Sequence, residues 1–73
     1  MDTQNLEVFL TAARTGSLSG AARHLKLTPM AATRRLAALE EELGVRLLNR
    51  TSRSLSLTPE GEAFQQFAVE IVD

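Results

Sequence analysis

The chain has no cysteine, no tryptophan and no tyrosine, and its only histidine is His24. Without cysteine there is no disulfide framework, no thiolate nucleophile and no thiolate metal site, and one histidine cannot build a metal site alone. That absence also fits a reducing compartment. With just three phenylalanines, no surface platform is evident on which single-stranded RNA bases could stack. No apolar run approaches the roughly 20 residues needed to span a bilayer, and the N-terminus lacks the apolar segment of a signal peptide. There is also no nucleophile–base pair, no metal-ligand cluster and no glycine-rich phosphate loop. The expectation is a soluble, cytoplasmic domain that is not an enzyme and carries no cofactor and no metal.

What remains is mostly leucine, alanine and charge. Leucine and alanine favour helices packed on helices over a sheet-rich core. At 73 residues there is room for one small domain. Such a chain buries only roughly 60% of its unfolded surface, so a partner that adds area would help it. The net charge is −1, but it is unevenly spread. All eight basic residues lie between Arg14 and Arg53, opposed there only by Glu40, Glu41 and Glu42, which leaves that stretch at +5. The flanks (Asp2 and Glu7; Glu60, Glu62, Glu70 and Asp73) carry −6. A basic centre between acidic ends predicts one phosphate-facing side and one turned away.

Leu6, Phe9, Leu10 and Ala13 recur at i, i+3, i+4, i+7, one face of a first helix. Asp2 or Thr3 can cap its start and Gly16 its end. Ser17 caps a second, shorter helix with Leu18, Ala21, Ala22 and Leu25 on its apolar face, and the small Ala21-Ala22 pair admits a close neighbour. Lys26-Leu27 connects to Thr28-Pro29, a cap followed by the residue favoured at the first helical position. The third helix then runs through Ala32, Leu36, Leu39 and Leu43 to Gly44. Beyond it the period changes. Val45-Arg46-Leu47-Leu48 and Leu55-Ser56-Leu57 read as two short strands joined by a polar, basic loop over 49–54. Thr58-Pro59 repeats the cap-plus-proline signal, and Phe64, Phe67, Ala68 and Ile71 mark a fourth helix, still helical in pattern at Asp73.

Two helices joined by a tight turn, the second opening with small and polar residues, form a helix-turn-helix. The whole order predicts a mainly α winged helix-turn-helix over 1–58, with a three-helix core and a small β-hairpin wing, followed by a linker helix over 59–73. In that geometry the recognition helix, about 29–43, lies in the major groove of double-stranded DNA and its first turns meet base edges. Thr28, Pro29, Met30, Thr33, Arg34 and Arg35 are the candidate contacts there. Arg suits guanine, Thr suits either base type, and the methionine side chain offers apolar contact to a thymine methyl. Met30 suits the edge of the core equally well. Arg50, Ser52 and Arg53 are the candidates in the wing loop, placed for an adjacent phosphate or narrow minor groove; Arg50 could instead pin the hairpin through a backbone carbonyl. Glu40-Glu41-Glu42 reads as a solvated face that repels phosphate, and His24 as a surface or boundary residue.

Several runs also resemble a known family. Gly16-Ser17-Leu18-Ser19-Gly20-Ala21-Ala22-Arg23-His24-Leu25, Leu27-Thr28 and Ala31-Ala32-Thr33-Arg34-Arg35-Leu36 are similar to the N-terminal domain of bacterial LysR-type transcriptional regulators. So are Leu39-Glu40-Glu41-Glu42-Leu43-Gly44-Val45-Arg46-Leu47-Leu48-Asn49-Arg50 and Leu57-Thr58-Pro59-Glu60-Gly61. The resemblance implies sequence-specific DNA binding in the nucleoid, and a chain that continues into a C-terminal effector-binding domain sensing a small molecule. It also implies that the fourth helix pairs antiparallel with its copy in a second subunit, giving a homodimer or, for the full-length protein, a tetramer. This chain reads Thr28-Pro29-Met30 where the family usually opens the recognition helix with Ser-Gln-Pro or Ser-Gln-Ser. A glutamine there could bond a base bidentately, whereas Pro29 has no donor. Thr33 and Arg34 match the family's usual serine and arginine.

Phe64, Phe67, Ala68 and Ile71 are the candidate dimer interface. Such a stripe could belong to the core, but so short a chain has little core left to receive it, which favours a seam between copies. A two-fold axis there would set two recognition helices on an interrupted palindrome. The rival to DNA binding is a protein–protein module in which the basic loop is incidental.

Overall fold

A computed structural model of the chain describes residues 1–50 and 55–72. Four helices and a two-stranded hairpin follow one another as α1 (Thr3–Thr15), α2 (Leu18–Leu25), α3 (Pro29–Leu43), β1 (Leu48–Arg50), β2 (Leu55–Leu57) and α4 (Pro59–Val72). This is the mainly helical, winged helix-turn-helix architecture expected from the sequence.

Each boundary has a local cause. The Asp2 carboxylate accepts from Gln4 N–H, Ser17 Oγ from Gly20 N–H and Thr28 Oγ1 from Ala31 N–H, all within 2.9–3.0 Å, so three helices begin on side chains that occupy their free amides. Gly16 and Gly44 end α1 and α3 at φ 77° and 73°, where L side chains are strained. The close of α2 is unusual in placing Lys26 at φ 60°. That conformation costs about 1–2 kcal/mol for a residue with a Cβ. In return, Leu27 N–H reaches back to the Ala22 carbonyl at 2.7 Å, which ends α2 abruptly and leaves a turn short enough to aim α3 across it.

α1 is the axis of the domain, packed against α2, α3, α4 and β2. Its buried set is wider than one stripe. Leu6, Val8, Phe9 and Ala12 are fully enclosed, whereas Leu10 and Ala13 of the expected face are half-buried. Neighbours on several sides, not helical period alone, decide that burial. α2 contributes Ala21 and Ala22 to the core, and α3 contributes Ala32, Leu36 and Leu39.

The hairpin sits later in the chain than expected. Val45 and Arg46 are exposed in the turn out of α3, and antiparallel pairing begins at Leu48↔Leu57 and ends at Arg50↔Leu55. Asn49 and Arg50, expected in the loop, are therefore strand residues. Leu47 and Leu48 are fully buried, so they plug the base of the wing into the core, Leu48 as the first residue of β1.

The root of α4 is fastened to that plug. Thr58 N–H donates to the Leu47 carbonyl, and Thr58 Oγ1 donates to the Arg46 carbonyl while accepting from Gly61 N–H. A Cβ at Gly61 would collide with the Leu47 carbonyl oxygen, so the helix can come this close only through glycine.

Candidate nucleic-acid interface

α3 crosses the domain with Ala32, Leu36 and Leu39 against the core and Leu43 half-buried below them. At about 100° per residue, the row directly opposite is Met30, Arg34, Ala37 and Glu41. All four are exposed, and Met30 is 68% exposed, which excludes it from the core. Thr28 and Pro29 are exposed at the start of the helix, and Thr33 is half-buried beside the row. Thr28, Pro29, Met30, Thr33 and Arg34 therefore cluster on the free side of the first two turns.

Arg35 stands apart. It is half-buried on the flank facing α1, where its Nη1 donates to Asn5 Oδ1 at 3.0 Å and to Asp2 Oδ2 at 3.3 Å. Although it follows Arg34 in sequence, one residue is over a quarter of a turn on a helix, so it is not an outward residue of the row. Glu42 lies on the same flank and meets the Met1 amino group at 3.6 Å.

The other flank carries a residue whose part the sequence reading missed. Glu40 is half-buried, and its Oε2 accepts from Leu47 N–H at 2.8 Å and Leu48 N–H at 3.2 Å. One amide just precedes β1 and the other opens it, so the carboxylate binds the start of the wing's first strand to the last turns of α3. Glu40 is not part of a solvated acidic face; of the three glutamates, Glu41 points most directly away from the core. No local pattern announces this, because the acceptor and its donors are seven and eight residues apart across a turn.

In the wing, Arg50 contributes backbone to β1, and Ser52 and Arg53 lie outside the described residues. Further positive charge is exposed at Arg23 and Lys26, close to the α2–α3 turn, and at Arg46 before the wing. His24 is exposed. Among the described residues there is no group of three histidine or carboxylate side chains that could hold a metal.

On α4 the proposed seam divides. Phe64 is half-buried with its ring 5.9 Å from that of Phe9, and Ala68 is fully buried. Ala68 is thus a core residue of the single chain and not part of an exposed seam: α1 takes up that side of the helix. Phe67 and Ile71 remain 56% and 46% exposed, with Val69 at 40%.

A family model described as bacterial regulatory helix-turn-helix protein, lysR family, matches residues 3–62. The chain belongs to the LysR family. Among LysR-type relatives it is 44% identical over 71 residues to the HTH-type transcriptional regulator CrgA of Neisseria meningitidis, covering 97% of this chain and 24% of that protein. It is 48% identical over 67 residues to an uncharacterized HTH-type transcriptional regulator of Mycobacterium tuberculosis, covering 92% of this chain and 22% of that one. The chain therefore spans about a quarter or less of these two relatives. Among solved structures, the DNA-binding domain of CbnR in complex with DNA superposes with a TM-score of 0.94 at 38% identity, covering 99% of this chain and 83% of that one. Vibrio fischeri DarR in complex with DNA gives 0.95 at 35% identity, covering 99% and 25%. The LysR match reaches Glu62, and so includes the whole hairpin and the root of α4.

Proposed function

We propose that this chain is the DNA-binding head of a cytoplasmic LysR-family transcription regulator, reading duplex DNA in the nucleoid with α3 in the major groove. The observation that carries the reading is the exposed row opposite the α3 core, with Met30 and Arg34 over its first two turns and no acidic side chain before Glu40. Arg34 bonds a base edge, Thr28 and Thr33 contact the groove wall or bases, and Pro29 and Met30 add apolar contact. Arg50, Ser52 and Arg53 of the wing meet the neighbouring backbone or minor groove. The DNA-bound neighbours of the same fold support this reading, as does the +5 segment from Arg14 to Arg53. Phe67 and Ile71 form the seam of a homodimer, which places two heads on an interrupted palindrome, and the rest of the protein carries the effector-binding domain.

The test is a salt titration on a duplex selected from a random pool by the chain itself. Each phosphate contact adds about −0.9 to the slope of log K against log salt. A flat response would exclude the reading and favour a protein–protein module. Arg34→Ala should cost about 1–3 kcal/mol on the selected duplex and relax preference at one base pair. An equal loss on every sequence would make Arg34 a phosphate contact only.

A further inference from the structure

We infer that Arg35 is a positioning residue and not a DNA contact: it latches the recognition helix to the first turn of α1 and thereby sets which side of α3 faces the duplex. This rests on the DNA-binding reading above. Both acceptors belong to the start of the most enclosed helix. Asn5 is 9% exposed on α1, and Asp2 is the α1 cap. The Asp2 carboxylate divides its oxygens between two tasks, Oδ1 taking Gln4 N–H at 2.9 Å and Oδ2 taking Arg35 Nη1 at 3.3 Å. The guanidinium is thus held by groups whose own positions are fixed by the helix they begin.

Geometry makes the two arginines exclusive. Adjacent helical residues point about 100° apart, so with Arg35 turned into the groove beside α1, Arg34 is left on the free row. The opposite flank is held by Glu40 on the β1 amides. With Arg35 tied on one flank, where the exposed Met1–Glu42 ion pair also lies, Glu40 tied on the other and a leucine row beneath, α3 cannot roll about its axis without breaking a tie. Releasing the Arg35 tie lets the helix roll toward the wing and smears the position of Arg34. What suffers is discrimination between sequences, not charge.

The experiment compares the parent chain with Arg35→Gln, with the pair Asp2→Asn/Asn5→Ala, and with all three changes together. Each is titrated over a range of salt against the parent-selected duplex and a random duplex of equal length. Arg35→Gln should lower the ratio of selected to random affinity by about three- to tenfold with the salt slope unchanged. The Asp2/Asn5 pair should give the same loss, and the triple variant no more than either. If Arg35 held a phosphate, its removal would reduce the slope by about 0.9 and weaken both duplexes alike. That result, or an Asp2/Asn5 pair that discriminates like the parent, overturns the latch. Thermal unfolding without DNA gives an independent measure, since the Tm losses of Arg35→Gln and the Asp2/Asn5 pair should be less than additive; additive losses also overturn it. A parent chain that selects nothing overturns the DNA reading itself, and with it any role for the latch in recognition, whatever the unfolding data show.

Discussion

α1 and α4 are 13 and 14 residues long, and each carries phenylalanine among aliphatic residues, yet they occupy opposite situations. α1 is surrounded, with four apolar side chains fully enclosed and even Asn5 and Thr11 buried. α4 is anchored at one end and along one side: Gly61 and Ala68 are buried and Phe64 is half-covered, while Phe67, Val69 and Ile71 stay wet. The three phenylalanines trace the change, since Phe9, Phe64 and Phe67 form a chain of rings with centroids 5.9 and 6.0 Å apart. It runs from the core to the surface. Apolar character alone therefore does not say whether a side chain stabilises the fold or serves an association; the number of elements around it does.

That gradient can be measured. Phe9→Ala removes a fully buried ring and should cost about 3–5 kcal/mol in chemical unfolding, enough to threaten a domain this small. Phe64→Ala, half-covered, should cost about 2 kcal/mol. Gly61→Ala should fall in a similar range, about 1–3 kcal/mol, because the Leu47 carbonyl is backbone and cannot step aside. Phe67→Ala, measured at concentrations where the chain is monomeric, should change unfolding by no more than about 0.5 kcal/mol. Phe67→Asp should instead act on assembly, moving sedimentation toward monomer and weakening a palindromic site more than a half-site. A parent chain that stays monomeric at high concentration, or a Phe67→Asp variant that still dimerises, would break the comparison and leave Phe67 and Ile71 as exposed surface outside any seam.

What could be read without coordinates was what depends on neighbours in sequence. Asp2, Ser17, Thr28 and Thr58 act as caps because a short oxygen beside free amides has few other uses, and Gly16 and Gly44 stop their helices for the same local reason. The leucine row of α3 follows from its period. What escaped depends on partners across space. Val8 and Ala12 are buried because α1 has neighbours on several sides, and Ala68 is buried because α1 lies across α4. β1 begins at Leu48, three residues later than the apolar run suggested, because Val45 and Arg46 are spent on the turn out of α3 and Leu47 is claimed by the core. Glu40 reads in sequence as a solvated acid and Arg35 as a DNA contact, because the Leu47 and Leu48 amides that donate to the one and the Asp2 and Asn5 oxygens that accept from the other lie beyond any local pattern. At the candidate site, the outward placement of Thr28, Pro29 and Arg34 was legible because cap, proline and period settle which side of a helix they occupy, whereas Met30 suited the core edge equally well and is placed only by its exposure.

The joint at Thr58 has a mechanical consequence. A helix leaving a domain through a flexible hinge can swivel, and whatever happens at its far end is lost as slack. Here the first turn of α4 is bolted to the backbone of residues 46 and 47 by two hydrogen bonds from Thr58, whose hydroxyl also caps the helix at Gly61 N–H, and by that glycine's seat against the Leu47 carbonyl. Torque applied further along α4 must then turn the whole head, wing and recognition helix together, or shear that joint. The helix works as a lever with its fulcrum at the wing, and a few degrees of rotation further along it become a displacement of Arg34.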